Sequence, residues 1–275
     1  MSSLRSPLSW RGLLLALNLV FPVATIGLFV MNDFRAVWML ALTLVIHGLL
    51  FWAIMHPRCQ WLGPVIHRFE TSRKEVWLTL DDGPDGERTR ELSAQLKERG
   101  VAATFFVIGD RLRAQSETAR ALQNDGHTLA NHTANHPRRS FWCRGRERVS
   151  REIDRCAHAL GDAGLAGVFF RPPVGHKPPA LHRLLAARGL RLISWTTGGR
   201  DGWSPDPQTT VRRILRRIKP GAIIVLHESR AHSVPTILAV VDALIAQGYS
   251  FTIPSEAALT RGTTVESPQE ALATR

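Results

Sequence analysis

The chain has 275 residues, of which 44% are hydrophobic and 21% are charged, and its formal net charge is +12. This composition excludes an extended disordered chain and leaves room for one full α/β domain with an appendage. The excess of Lys and Arg favours anionic partners such as lipid headgroups or phosphate-bearing substrates, with a solvated basic surface as an equal alternative. No arginine-rich arm interleaved with aromatic residues is present, so we expect no nucleic-acid partner.

Two long apolar stretches stand at the N-terminus. Residues 12–31 contain no charged residue, and residues 37–55 contain one His and no other ionisable residue. Each has the length of about 20 residues that an α-helix needs to cross the hydrocarbon core of a membrane. We therefore predict a transmembrane hairpin over residues 1–58 and a linker over residues 59–75. The alternative is a hydrophobic helical hairpin inside a soluble fold.

Basic residues flank this hairpin at both outer ends. Arg5 and Arg11 precede the first stretch, several Arg and Lys residues follow the second, and the short loop between them carries one Asp and one Arg. The positive-inside rule places such basic flanks in the cytoplasm. We therefore expect a multi-pass protein of the bacterial inner membrane, with membrane lipids as partners and with its downstream domain in the cytoplasm.

From Val76 onward, short β-rich runs alternate with amphipathic helical stretches. Such alternation predicts a parallel sheet with crossover helices. Seven predicted strands favour an α/β fold of the (β/α)7 type, a distorted barrel smaller than the eight-stranded form. The polar tail over residues 256–275 is predicted to be disordered. The predicted strands are Val76–Leu80, Ala103–Ile108, Thr128–Ala130, Val168–Phe170, Leu190–Trp195, Ala222–Leu226 and Tyr249–Ile253.

Polar residues gather directly after the predicted strands, where parallel α/β barrels carry their catalytic groups. Asp81 and Asp82 end the first strand, and two adjacent carboxylates repel each other unless a cation lies nearby. His132 and His136 follow the third strand, and a spacing of four residues predicts one face of a helical turn. With a carboxylate from another strand, the two imidazoles would form a metal site with open positions.

The later strand ends carry an arginine, an aspartate and a histidine. Arg171 follows the fourth strand in a proline-rich turn, from which its guanidinium can reach a carboxylate. Asp201 follows the fifth strand, and His227 ends the sixth. Taken singly, each pattern is also compatible with a structural role, as an ordinary turn, an incidental pair of His residues or a buried neutral His.

Taken together, the segments TLDDGP, HTANH, RPPVG, DGW and LH resemble, in sequence order, the five motifs of the polysaccharide deacetylase family, the NodB-homology proteins of carbohydrate esterase family 4. The resemblance covers roughly Val76 to Ile253, so we expect the deacetylase domain over residues 76–255. It implies a hydrolase that cleaves a linear amide and removes an acetyl group, with formyl as an alternative, from an amino sugar.

The resemblance also implies a base and a metal site. Asp81 would be the general base, because the first Asp of the pair has this role in the family. Asp82, His132 and His136 would bind a divalent metal ion, with Zn²⁺ expected and Co²⁺, Mn²⁺ or Ni²⁺ as alternatives. Such an ion would polarise the amide carbonyl and acidify a bound water, whose proton the nearby carboxylate would take.

The remaining motif residues receive roles in the same way. His227 would be the general acid, Arg171 would pair with Asp81, and Asp201 would tune His227. Three positions depart from the family pattern, because Val174 replaces an aromatic residue, Glu228 replaces the Asp that often follows the last His, and Leu80 replaces the common Phe. The residues that would contact substrate are Pro84, Pro173, Gly175, Trp203 and Leu226.

The substrate hypothesis combines the anchor, the basic charge and the predicted orientation. We expect a lipid-linked amino sugar, such as an N-acetylhexosamine on a polyprenyl phosphate, deacylated at the cytoplasmic membrane face. One alternative is an extracytoplasmic N-deacetylase that acts on peptidoglycan or another polysaccharide. A third reading, from another functional class, is a membrane-tethered sugar-binding module without catalytic activity.

Overall fold

The structure is a computed structural model that describes residues 10–31, 33–202 and 206–261. Its first two elements are the helices α1 (Trp10–Val30) and α2 (Arg35–Met55). Both are long and apolar enough to cross a membrane, with mean hydropathies of 2.4 and 2.1. They pack side by side as an antiparallel pair, in which the hydroxyl groups of Thr25 and Thr43 lie 2.9 Å apart.

The rest of the described chain alternates strands and helices, as the sequence predicts. The strands are β1 (Glu75–Asp81), β2 (Ala103–Val107), β3 (Thr128–Asn131), β4 (Phe169–Phe170), β5 (Arg191–Leu192), β6 (Thr197–Gly198), β7 (Ala222–His227) and β8 (Ser250–Phe251). The helices are α3 (Glu87–Glu98), α4 (Gly109–Ala114), α5 (Ser116–Asn124), α6 (Arg146–Asp162), α7 (Leu181–Ala186), α8 (Pro207–Leu215), α9 (Ser233–Ala246) and α10 (Glu256–Arg261).

All the strand pairs are parallel, and the sheet runs in the order β5-β4-β3-β2-β1-β7-β6, with β8 paired to the start of β1. The strands β5 and β6 lie at opposite ends of this order, yet only five peptide steps separate Leu192 from Thr197. Such a segment spans at most about 18 Å. The sheet must therefore curl until its edges approach, which confirms the predicted distorted (β/α)7 barrel.

The predicted linker over residues 59–75 is part of the barrel wall rather than a loose connection. The backbone N–H of Ile66 donates to the carbonyl of Leu192 at 3.0 Å, and the N–H of Ser194 donates to the carbonyl of Ile66 at 2.7 Å. Phe69 lies beside β7 and is buried with Ile66 in the barrel interior. The segment thus fills the gap between the sheet edges, because its backbone groups pair with the strands that flank that gap.

The predicted disordered tail is wrong over its first six residues. Glu256–Arg261 form α10, and the side chain of Leu259 is fully buried in the cluster that also contains Phe69. Burying one large apolar side chain stabilises such a short helix by about 2 kcal/mol. Residues 262–275 lie outside the described residues.

The strand β1 shows how the sheet positions polar groups. Its residues alternate between the two faces of the sheet, so that Val76, Leu78 and Leu80 pack in the core beneath the surrounding helices. Trp77 joins the cluster inside the barrel, and the Thr79 hydroxyl accepts a hydrogen bond from a buried arginine there. The carboxyl end of β1 therefore presents its last polar side chain to the barrel interior.

Candidate active site

Two consecutive carboxylates reach the same space because the chain turns sharply after β1. The strand ends at Asp81, and Asp82 adopts the left-handed region with φ = 76°. In a continuing strand the two side chains would point to opposite faces. Here Asp81 Oδ2 lies 3.9 Å and Asp82 Oδ1 lies 3.6 Å from the Nε2 atom of His132.

The two histidines after β3 converge through an irregular loop, so the expected helical turn is wrong. Thr133 and His136 have φ values of 71° and 53°, outside the helical region. The N–H groups of residues 134 and 135 both donate to a carboxylate oxygen of Glu152, at 3.1 Å each. This buried anion holds the loop in a conformation where the rings of His132 and His136 lie 4.8 Å apart.

The donor atoms of this cluster fit a divalent metal ion. His132 Nδ1 donates to the carbonyl of Arg171 at 2.8 Å, which leaves the lone pair on Nε2 directed at the cluster. Asp82 Oδ1 is buried and has no hydrogen-bond donor among the described residues, although it lies 3.3 Å from His136 Nε2. One ligand atom from each of the three side chains lies within 4.8 Å of the others.

The protonation states suit metal binding as well. Burial acts to raise the pKa of Asp82, but the nearby imidazoles of His132 and then His136 outweigh burial and lower it. Burial, and secondly the charge of His132, lower the pKa of His136 to about 4. At neutral pH the carboxylate is therefore ionised and this imidazole is neutral, as metal ligation requires.

Asp81 is held in place by a buried arginine. Arg171 is 0% exposed, and its Nη1 donates to Asp81 Oδ1 at 2.6 Å and to the hydroxyl of Thr79 at 2.8 Å. The guanidinium carbon lies 4.0 Å from the ring centroid of Phe106, and its other nitrogens donate to the carbonyls of residues 193 and 194. These contacts fix the Asp81 carboxylate, with Oδ2 left facing the histidines.

His227 approaches from the neighbouring strand, because β1 and β7 pair with Asp81 opposite His227. Asp201 Oδ2 accepts the backbone N–H of His227 at 2.7 Å, and Asp201 Oδ1 lies 3.2 Å from its Nδ1. Burial acts to lower the pKa of His227, but the hydrogen bond and charge of Asp201 outweigh burial and raise it to about 9. The imidazole is thereby stabilised in its protonated form, with Nδ1 engaged.

The predicted substrate-contacting residues lie in different parts of the structure. Pro84 follows Gly83 in the turn after Asp82, and Pro173 with Gly175 belongs to a 3₁₀ turn after β4. Trp203 lies outside the described residues. Leu226 is fully buried and packs in the core beneath the helices, so its contact with substrate stays a prediction. The alternation of β7 instead gives Val225 the same face as His227.

Two buried acids were missed as structural partners of the site. Glu228 accepts from the hydroxyl of Thr89 at 2.5 Å and packs so closely on Gly83 that a Cβ there would lie 1.4 Å from Glu228 Oε1. Glu152, which holds the histidine loop, lies on the buried face of α6 between Val149 and Ile153. An acid at an apolar position of an amphipathic helix is the signal that could have identified it.

The comparisons agree with this geometry. The chain matches the polysaccharide deacetylase family over residues 68–193. It is 30% identical over 200 residues to the chitooligosaccharide deacetylase of Azorhizobium caulinodans. This alignment covers 66% of this chain and 94% of that protein. It is also 28% identical over 199 residues to a peptidoglycan-N-acetylglucosamine deacetylase of Bacillus cereus, in an alignment that covers 70% of this chain and 92% of the relative.

Among solved structures, a family 4 carbohydrate esterase from Streptomyces lividans in complex with acetate is similar, with a TM-score of 0.62 and 28% identity. That similarity covers 67% of this chain and 95% of the esterase. A second structure, described as the T48 deacetylase with substrate, has a TM-score of 0.62 and 32% identity over 70% of this chain and 93% of that one. With its barrel and its relatives in agreement, this chain belongs to the polysaccharide deacetylase family and is an amide hydrolase.

Proposed function

We propose that this chain uses a divalent ion, Zn²⁺, to remove the acetyl group from an amino sugar carried by a polyprenyl phosphate at the cytoplasmic face of the membrane. The observation that carries the chemistry is the convergence of Asp82, His132 and His136 beside Asp81. Family membership supplies the broader activity, an N-deacetylase of polysaccharides, chitooligosaccharides or peptidoglycan. The lipid carrier is inferred from the contact between the end of α2 and the segment over residues 171–177 that follows β4. This segment is called the catalytic turn, and the helices α1 and α2 are called the anchor.

Each side chain then has a defined part in hydrolysis of the amide. A divalent ion held by the two histidines and Asp82 would polarise the acyl carbonyl and lower the pKa of water. Asp81, oriented by Arg171, accepts the proton of the water whose oxygen attacks the carbonyl carbon. As the carbon–nitrogen bond breaks, His227 donates a proton to the leaving amine, so that acetate and a free amino sugar result.

Attachment of the catalytic turn to the membrane anchor supports a lipid-linked substrate. A Cβ added at Gly175 would lie 2.7 Å from the Cβ of Pro57, so the turn after β4 packs directly against the end of α2. The backbone N–H of Lys177 donates to the carbonyl of Ile54 at 2.9 Å, and its ammonium donates to the carbonyl of His56. The loop that carries Arg171 therefore continues into a cap for a helix long enough to cross a membrane.

The metal requirement is tested on the full chain purified in detergent, with acetate release from a chitooligosaccharide as the readout. Chelation should lower the rate to about a hundredth or less, and added Zn²⁺ should restore it. His136→Ala should lose bound metal by elemental analysis, whereas His158→Ala, at an exposed position on α6, should retain it. Full turnover by metal-free protein would contradict the proposal.

The carrier is tested by mass spectrometry of lipid-linked sugars from cells with and without the gene. Loss of the gene should leave a polyprenyl-linked amino sugar that is heavier by one acyl group. Reporter fusions after residue 261 should report the cytoplasm. If they report the opposite side, and only peptidoglycan or a soluble polysaccharide gains acetyl groups, the extracytoplasmic alternative replaces this one.

A further inference from the structure

A second concave surface lies where the membrane hairpin joins the catalytic domain. It is an open cleft of about 470 Å³ formed by the start of α1, the segment after α2 and one side of α7. Its polar lining includes Arg11, His182 and Arg183, and its apolar lining includes Trp61. None of these residues belongs to the catalytic cluster described above.

The cleft carries positive charge without a matching acid. Arg11 Nη2 donates to the carbonyl of Pro179 at 2.7 Å, and its other N–H groups have no hydrogen-bond partner among the described residues. Arg183 is exposed, and neither arginine forms an ion pair with a carboxylate among the residues that the structure describes. Two guanidinium groups at one cleft are a typical arrangement for binding phosphate oxygens through paired N–H donors.

His182 adds a buried polar group beside these arginines. The residue is 8% exposed, and within the described ranges its Nε2 atom has no hydrogen-bond partner. The chain makes room for it at Gly63, where a Cβ would lie 2.4 Å from His182 Cγ. Burial, and then the charges of Lys177 and Arg11, lower the pKa of His182 to about 4. The imidazole is therefore neutral near pH 7, and the positive charge of the cleft comes from the two arginines.

The position of the cleft relative to the helices identifies the depth at which a ligand would bind. Arg11 belongs to the first turn of α1, and Trp61 follows the end of α2 by six residues. The ring of Trp61 lies 5.1 Å from that of Trp52, near the end of α2. Tryptophan residues at the ends of membrane-crossing helices lie at the level of lipid headgroups. The cleft is therefore at the depth of lipid phosphates.

We propose that this cleft binds the phosphate group of a membrane lipid through Arg11 and Arg183. Two lipids present that chemistry at this depth, the polyprenyl phosphate of the substrate and the bulk anionic phospholipids. Assignment to the substrate rests on the proposed function, whereas binding of a lipid phosphate does not. If the ligand is the polyprenyl phosphate of the substrate, the cleft holds this carrier. The sugar then extends toward the catalytic turn, which Pro179 follows in the chain.

Binding is measured by native mass spectrometry of the full chain released from detergent, titrated separately with undecaprenyl phosphate, phosphatidylglycerol and diacylglycerol. The last probe lacks a phosphate and serves as the reference. Removal of one arginine weakens a phosphate contact about fivefold, and charge reversal has a larger effect. Arg183→Glu should therefore weaken binding of either phospholipid by about tenfold or more. Arg183→Lys should retain most of the binding, and Arg120→Glu, at an exposed position on α5, should change nothing.

The outcomes separate this proposal from the proposed function. Each variant is also assayed on a soluble chitooligosaccharide, and Arg183→Glu should leave that rate unchanged because the cleft lies outside the catalytic cluster. Tighter binding of undecaprenyl phosphate than of phosphatidylglycerol assigns the cleft to the substrate carrier, and equal binding assigns it to bulk phospholipid. If neither Arg183→Glu nor Arg11→Gln weakens either phosphate lipid relative to diacylglycerol, the lipid-phosphate site does not exist.

Discussion

The turn after β4 carries two fully buried cations, six residues apart, in contrasting surroundings. Arg171 faces the barrel interior, where Asp81 supplies a carboxylate at 2.6 Å and Phe106 supplies an aromatic face. Lys177 faces the N-terminal pair of helices, where the ammonium donates to the carbonyl of His56. Among the described residues no carboxylate pairs with it.

The difference shows how one loop serves two purposes. A buried charge needs a counter-charge or strong hydrogen bonds, because desolvation alone costs several kcal/mol. Arg171 satisfies this need with the carboxylate that we propose as the catalytic base, so its pairing orients a reactive group. Lys177 uses the negative end of a helix dipole, since the last carbonyls of α2 lack intrahelical partners. Its contact attaches the turn after β4 to the end of α2.

The strongest way to break the first arrangement is Asp81→Asn. The amide keeps the shape of the side chain but cannot accept the proton of water, so kcat should fall by about 10²- to 10⁴-fold. Arg171 would also lose its counter-charge, and the free energy of unfolding should decrease by about 3 kcal/mol. Acetate release from a chitooligosaccharide and denaturant unfolding in detergent measure the two effects.

Asp110→Asn is the matched control, because the one ion pair of this exposed α4 carboxylate among the described residues is with the exposed Arg155. It should change the free energy of unfolding by less than about 1 kcal/mol and leave kcat unaltered. If Asp81→Asn retains near-normal turnover, the proton acceptor must be another group and the role assigned to the Arg171 pair is wrong.

A smaller effect on the rate is expected at the second pair, in which the carboxylate of Asp201 contacts the imidazole of His227. Asp201 raises the pKa of His227 to about 9 against the opposing effect of burial, so Asp201→Asn should lower that pKa. The alkaline limb of kcat/KM should then move to lower pH by about one to three units, because less of the acid stays protonated. The pH profile of acetate release measures it.

The helix-capping Asp206 provides the comparison for this variant, since within the described part of the chain its carboxylate accepts from residues 208 and 209 and binds Arg212 at the surface. Asp206→Asn should leave the pH profile in place. An alkaline limb that stays where it is in Asp201→Asn would mean that the protonation of His227 does not control the rate.

The sequence predicted the barrel and the convergence of the cluster for a clear reason. Alternating apolar runs fix strand and helix, and parallel strands bring their carboxyl ends to one edge. The pairing of Asp81 with Arg171 also follows from that rule. Conformation within the loops could not be predicted this way. The His132–His136 spacing indicated a helical turn, whereas contacts with the distant Glu152 select an irregular loop.

Long-range contacts also explain the other errors. The predicted strand Leu190–Trp195 shortens to β5, because Ile193 pairs with Ile66 from the predicted linker, and β6 begins two residues beyond the predicted end. A local sequence pattern specifies neither the distant segment with which a strand pairs nor the register of that pairing.

The smallest expected effect concerns the second cation and has a definite sign. Burial lowers the pKa of Lys177 to about 8 from 10.5. Below pH 8 the lysine is protonated in both folded and unfolded chains, so the cost of burying the charge is complete. Between about pH 8 and 10.5 only the unfolded chain keeps the proton, and the folded state gains up to about 3 kcal/mol.

Lys177→Met should remove this pH-dependent gain, which denaturant unfolding in detergent at pH 7 and pH 10 would measure. At pH 7 the variant should be about as stable as the parent, because loss of a buried charge offsets loss of one hydrogen bond. Lys219→Met, at an exposed position after α8, should reproduce the parent curve. If the difference between parent and Lys177→Met is the same at both pH values, the ammonium is not buried against α2, and only the backbone hydrogen bond to Ile54 and the contact with Pro57 join the turn after β4 to that helix.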